Sequence, residues 1–261
     1  YYGDFDIYEP ASGTTVTVTF PGDLGAFVIN EAETLAYVMW RENGFYVLDL
    51  NDGSYEAVDV DKKFAHPVLD ESDGLLYVIN YGAYTVEVYS TADHSLQATL
   101  DLGTCEPIAL RMSDVEHALD VSCRRNGIKR VDLDTRNWVQ IMEGSFLYSF
   151  DYSADESLMY IRRGSNLVIH DMVADAEVKA ISYTGGNADM VVFSTYYWPE
   201  MNAVILGGNQ GARFVSLDME KQFWLHREFG NRFALDKANR HLYLAAGNDA
   251  GLLLLDMSDF E

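Results

Sequence analysis

Apolar residues along this chain fall in short runs separated by polar turns, and the runs recur. Six of them align: Leu35-Ala36-Tyr37-Val38-Met39, Leu75-Leu76-Tyr77-Val78-Ile79, Ala118-Leu119-Asp120-Val121, Leu158-Met159-Tyr160-Ile161, Ala203-Val204-Ile205-Leu206 and Leu242-Tyr243-Leu244-Ala245. Taking Tyr37, Tyr77, Asp120, Tyr160, Val204 and Tyr243 as equivalent, the steps are 40, 43, 40, 44 and 39 residues. A second run follows each first one and usually ends in Asp, as in Tyr46-Val47-Leu48-Asp49, Lys129-Arg130-Val131-Asp132, Val168-Ile169-His170-Asp171, Val215-Ser216-Leu217-Asp218 and Leu253-Leu254-Leu255-Asp256. Alternation with period two in Thr85-Val86-Glu87-Val88-Tyr89 and Thr15-Val16-Thr17-Val18-Thr19 is the pattern of a half-buried strand. No stretch keeps a helical period for three turns, which excludes a helical solenoid.

Each unit reads as four short strands; in the second these are 67–70, 75–80, 85–89 and 96–100, punctuated by turns at Asp73-Gly74 and Tyr81-Gly82. Four strands in 40–45 residues is the pattern of a β-propeller blade. Two N-terminal strands, five complete units and a terminal group of three make 25 strands, which predicts six blades, with Thr15–Phe20 closing the last one. Seven blades become the better count if the chain is a fragment. The expectation is an all-β, single propeller domain over residues 1–261.

Leu75-Leu76-Tyr77-Val78-Ile79-Asn80-Tyr81-Gly82 followed by Thr85-Val86-Glu87-Val88-Tyr89-Ser90-Thr91 resembles the YVTN-type propeller repeat, and Gly251-Leu252-Leu253-Leu254-Leu255-Asp256-Met257-Ser258 is similar to the LVIVD-type repeat. The third unit departs from the pattern, with Asp120 where Tyr is usual. Such repeats occur in surface-layer, periplasmic and enzyme proteins, so the resemblance implies architecture and little chemistry.

Composition narrows the function. The 261 residues carry 41 Asp and Glu against 18 Lys and Arg, a net charge of −23, and 48% of them are hydrophobic. That content excludes intrinsic disorder, and the acidity argues against nucleic acid as a partner. No apolar run reaches the 18 or so residues of a membrane-spanning helix. Two cysteines are too few for a disulfide framework or a zinc-ligand set. With abundant tyrosine, they are compatible with an extracellular or periplasmic protein.

Blade register sorts the loops. Loops joining the two middle strands, and loops entering each new unit, share one face, here called the top. Arg41, Lys62, Lys63, Arg124, Arg125, Arg162, Arg163 and Arg232 fall on it, while Glu31, Glu33, Asp70, Glu71, Asp73, Asp114, Glu116, Asp155 and Glu156 fall on the opposite turns. Arginine forks suit carboxylate, sulfate or phosphate, so an anionic glycan, a small anion or an acidic protein surface fits this face. Neighbouring carboxylates can equally absorb the same cations.

His66, beside Lys62 and Lys63, is the histidine placed for proton transfer, which leaves open an enzyme alternative: a lyase or hydrolase acting on an acidic glycan at the channel mouth. The other histidines, His94, His117, His170, His226 and His241, form no metal-ligand spacing, and the acidic turns do not complete a calcium loop. No metal or cofactor is expected. Trp40, Tyr81, Tyr84, Tyr196, Tyr197 and Trp198 lie in or near top loops and could stack on a ligand or pack between blades. Cys105 and Cys123 share the top of the third blade, where a disulfide is within reach. The reading favoured is a non-catalytic, ligand- or partner-binding propeller.

Overall fold

The computed structural model describes residues 3–9, 13–40, 44–113, 115–145, 147, 149–163, 166–182, 192–208, 211–218, 222–226, 229–236, 241–246 and 252–257. They form antiparallel blades. Strands β1 (Gly3–Glu9) and β2 (Thr14–Phe20) make a two-stranded hairpin. Blade one holds β3 (Leu24–Ile29), β4 (Leu35–Trp40), β5 (Phe45–Asp49) and β6 (Tyr55–Val58). Blade two holds β7 (Phe64–Asp70), β8 (Leu75–Asn80), β9 (Thr85–Ser90) and β10 (Leu96–Leu100). Blade three holds β11 (Pro107–Met112), β12 (Ala118–Cys123), β13 (Gly127–Asp132) and β14 (Trp138–Met142). Blade four holds β15 (Phe150–Tyr152), β16 (Leu158–Arg163), β17 (Asn166–Asp171) and β18 (Ala176–Ser182). Blade five holds β19 (Val192–Trp198), β20 (Ala203–Gly208), β21 (Gly211–Ser216) and β22 (Gln222–His226). A three-stranded sheet follows, of β23 (Phe229–Asp236), β24 (His241–Ala246) and β25 (Leu252–Asp256).

The architecture is thus the all-β, four-stranded-blade one, but with five such blades among the described residues, not six or seven. The difference lies in β2. It is not the outer strand of a closing blade; it pairs along its whole length with β1, from Gly3↔Phe20 to Glu9↔Thr14. A hairpin partner a few residues away costs far less loop entropy than one at the far end of the chain. Side chains reinforce the choice: Thr17 Oγ1 donates to Asp6 at 2.6 Å and Thr19 Oγ1 to Asp4 at 2.8 Å. The other face of β2 then docks Val18 and Phe20 on Ala36, Val38, Tyr46 and Leu48 of blade one.

The strands group into two compact units, Tyr1–Met112 with His117–Glu143, and Ser113–Glu116 with Gly144–Glu261. In the first, Tyr37, Met39, Phe45 and Val47 of blade one pack on Phe64, Leu76, Val78 and Tyr89 of blade two. The opposite face of blade two, Tyr77, Ile79, Val86 and Val88, packs on Leu119, Val121 and Val131 of blade three. In the second, Tyr160, Leu167, Ile169 and Ile181 of blade four pack on Val204, Leu206 and Val215 of blade five. A middle strand therefore meets apolar neighbours on both faces, which is why β8 and β12 are buried almost throughout while the outer strands β6, β10, β14 and β18 are mostly exposed.

Turns repeat as faithfully as strands. The carbonyl just before each second strand accepts an N–H from just beyond the third: Thr34 from Leu50, Gly74 from Thr91, His117 from Leu133, Ser157 from Met172 and Asn202 from Leu217. The recurrent Asp at the end of the third strand has a local reason. Its carboxylate accepts backbone N–H groups of the following turn, Asn51 on Asp49, Thr135 on Asp132, and Val173 and Ala174 on Asp171. Asp120 also finds compensation: it is fully buried and faces Arg130 on the paired strand, where blades one, two and four oppose Tyr37 to Val47, Tyr77 to Val88 and Tyr160 to Ile169.

Candidate functional site

The top loops are built on another repeated bond. The carbonyls of Lys63, Glu106 and Ser149, at the entry to blades two, three and four, accept N–H groups from Tyr81, Arg124 and Arg162 at the end of the same blades' second strands. The equivalence by repeat register thus has a backbone cause, and it fixes where the basic side chains start.

Their ends differ. Lys62 is tied to the protein: Nζ donates to Asp59 Oδ2 at 2.7 Å, Glu87 Oε2 at 2.9 Å and the Tyr89 hydroxyl at 3.1 Å. All three ammonium donors are used. Burial opposes the charge, but the Asp59 and Glu87 carboxylates outweigh it and hold the pKa above the usual lysine value. Burial and the same two carboxylates push the Tyr89 phenol up. Asn80 Nδ2 completes the network on Glu87 Oε1 at 2.6 Å. Lys62 braces the junction of blades one and two, and Asp59 is a partner in it and not merely a solvated turn residue.

Lys63 and Arg125 are exposed. Arg124 keeps a side chain 43% exposed and a loose pair, Nε to Glu106 Oε2 at 3.6 Å. Tyr84, with φ of 57°, stands 53% exposed at the tip of a loop whose Gly82 and Ala83 N–H groups both donate to Asn80 Oδ1. Because Tyr81 packs against the core shared by blades two and three, which includes Cys123, these two loops emerge at the same end of that pair. Lys63, Tyr84, Arg124 and Arg125 therefore belong to one end of the first unit. In the second unit Arg162 is half-buried, and Arg163 Nη1 bonds Glu177 Oε2 at 3.1 Å with both side chains about half exposed. Arg41 and the Arg232 side chain lie outside the described residues, as do most of the loops at 209–210 and 247–250.

His66 sits in a bulge between Ala65 and Val68, with φ of 50° and intermediate exposure. His94 bonds Glu56, and His170 Nε2 lies 3.2 Å from Asp175 Oδ1. Among the aromatic candidates, Trp40 stacks on Tyr46 and Tyr197 on Tyr160, and Trp198 is fully buried, so these serve packing. Cys105 and Cys123 form a disulfide, their Cα atoms 5.1 Å apart, closing the top of blade three.

The opposite turns hold a grouping that the sequence did not reveal. Asp70, Asp73 and His117 bring one donor atom each to within 4.8 Å of one another. After burial, the Asp70 and Asp73 charges push the nearby Tyr77 phenol up to about 12. His117 stands where Gly74 stands one blade earlier, but that equivalence alone does not mark it as a partner of the 70–74 turn.

No protein-family model matches the chain, and no curated protein sequence matches it. Solved structures do. It is similar to hydrazine synthase of Kuenenia stuttgartiensis, with a TM-score of 0.73 at 13% identity over 90% of this chain and 76% of that one. It is also similar to a chain of a mitotic checkpoint complex, with a TM-score of 0.74 at 11% identity over 97% of this chain and 81% of that one. These likenesses do not reach the YVTN-type repeat family, and at such identities they speak for fold alone: the chain is a β-propeller.

Proposed function

We propose that this propeller, acting as one domain, is a non-catalytic binding module whose top loops receive an anionic partner: an acidic glycan, a small anion or an acidic protein surface. The observation that carries the reading is the exposed set Lys63, Tyr84 and Arg125, with the part-exposed Arg124, at one end of blades two and three on a chain whose net charge is −23. Tyrosine and arginine are the side chains that most often dominate binding energy at interfaces. A local cationic end on an acidic body also steers an anion toward that end. Arg162 and Arg163 extend the same loop type in the second unit, and Lys62 supports the loops from within. Among the described residues, no helix is long and apolar enough to cross a membrane, and the Cys105–Cys123 bond favours an extracellular or periplasmic setting.

Fluorescence anisotropy with a labelled heparin oligosaccharide and a labelled Asp/Glu-rich peptide tests the proposal. Binding of at least one probe should weaken steeply as salt rises, since the screening length falls from about 10 Å at 0.1 M to about 3 Å at 1 M. Lys63→Ala with Arg125→Ala should cost about tenfold or more in affinity, equivalent to about 1.4 kcal/mol. Arg136→Gln, on the opposite turns, should change it by less than about twofold. Equal losses in both variants, or no binding of either probe at low salt, count against the anionic partner.

A further inference from the structure

The turns at the other end of blades two and three converge on a point. Asp70 ends β7, Asp73 lies in the turn that follows, and His117 immediately precedes β12. His117 Nε2 lies 3.2 Å from Asp73 Oδ2 and 3.5 Å from Asp70 Oδ2. Its other ring nitrogen, Nδ1, lies 3.1 Å from Asp134 Oδ1, in the turn after β13.

Asp70 marks this as more than an acidic surface cluster. Its side chain is only 5% exposed. Oδ1 is satisfied, accepting from Ser72 Oγ at 2.7 Å and from the Asp73 N–H at 3.1 Å. Oδ2 is buried, receives no hydrogen bond from the described residues and faces the imidazole. A carboxylate oxygen withdrawn from water without a donor is costly and calls for a positive partner. Asp134 supplies the complementary feature: a carboxylate accepting Nδ1–H turns the Nε2 lone pair outward, here toward the two aspartate oxygens. Three potential ligand atoms then lie within 4.8 Å of one another. A cation bonded at about 2.0–2.2 Å to nitrogen and oxygen in tetrahedral geometry sets its ligands about 3.3–3.6 Å apart, close to the 3.2 and 3.5 Å found.

We propose that Asp70 Oδ2, Asp73 Oδ2 and His117 Nε2 bind a divalent first-row transition cation of the zinc type, with Asp134 as the outer carboxylate that orients the imidazole and water completing the shell. An imidazole with two carboxylates suits Zn²⁺ or Mn²⁺ better than Ca²⁺, which takes oxygen ligands only. The ion joins the β7–β8 turn of blade two to the entry of β12 in blade three, at the end away from the Cys105–Cys123 bond. Its work is to clip two blades together, separate from the anion-binding loops.

The test uses the full chain, stripped with EDTA and exchanged into metal-free buffer. Calorimetric titration with Zn²⁺ and metal analysis after gel filtration should give one equivalent, with a rise in melting temperature on loading. Asp73→Asn and His117→Gln should each weaken uptake by at least about tenfold, and Asp134→Asn by about 10–100-fold with the stoichiometry kept. His94→Gln, at an unrelated histidine, should leave it unchanged. Asp73 is 47% exposed, so its variant keeps the fold and remains readable if the histidine variant does not. Uptake below about 0.1 equivalent, uptake equal in wild type and Asp73→Asn, or a site that takes Ca²⁺ and refuses Zn²⁺ overturns the assignment.

Discussion

Replacing Arg130 by Val should cost about 3–5 kcal/mol of stability in urea unfolding, because it removes a two-pronged arginine partner from a fully buried carboxylate. Arg130 Nε donates to Asp120 Oδ1 at 2.8 Å and Nη2 to Oδ2 at 2.7 Å, a two-pronged pair between directly opposed residues. Asp120 is 0% exposed and the Arg130 side chain 15%. The repeat offers its own control. Blades one, two and four place Tyr against Val or Ile at this pair of positions. Asp120→Tyr combined with Arg130→Val rebuilds that apolar pair and should return stability to within about 1.5 kcal/mol of wild type, since a well-packed hydrophobic pair often replaces a buried ion pair without loss. A single-variant cost below about 1 kcal/mol would show that the pair is not what holds blade three together.

Phe20→Ala should be comparably damaging, at about 3–5 kcal/mol. Phe20 is fully buried, with ring centroids 4.6 Å from Tyr46 and 4.5 Å from Tyr55. The truncation leaves a ring-sized void between the hairpin and blade one. Val16→Ala on the same strand, at a side chain 53% exposed, should cost less than about 0.5 kcal/mol. Similar small costs at both positions would mean that the hairpin hangs loosely and does not seal blade one.

These two sites also mark where the sequence could and could not be read. Blade two is legible to within a few residues: 75–80 and 96–100 are the strands expected, 85–89 extends to Ser90, and only the first strand begins earlier, at Phe64. Apolar runs flanked by turn residues report strand existence because both faces of a middle strand meet apolar neighbours. They do not report partners. The alternation in Thr15–Phe20 satisfies a closing strand and a hairpin equally, and the difference rests on Thr–Asp contacts across β1 and β2 that no periodicity encodes.

The candidate site divides the same way. Register placed Lys62 and Lys63 on an entry loop and Arg124 and Arg125 on a middle-strand loop of the same face, and backbone bonds at Lys63 and Glu106 explain why the two loop types meet. Register could not say that Lys62 spends its donors on Asp59, Glu87 and Tyr89, since Glu87 and Tyr89 are more than twenty residues away. Nor could it mark His117, whose partners Asp70 and Asp73 come from the preceding blade and Asp134 from its own. Ligand sets assembled from separate blades have no sequence spacing to recognise.

Amide hydrogen exchange with and without a saturating anionic probe, a heparin oligosaccharide or an Asp/Glu-rich peptide, locates the binding surface most directly. Slowed exchange is expected at residues 62–66, 80–84 and 123–126, the loops that carry Lys63, Tyr84, Arg124 and Arg125. Residues 50–54, 91–95 and 132–137, the turns at the other end of the first three blades, should be unaffected. Protection confined to those turns, or a bound probe that leaves the loops exchanging as before, would contradict a top-loop binding module.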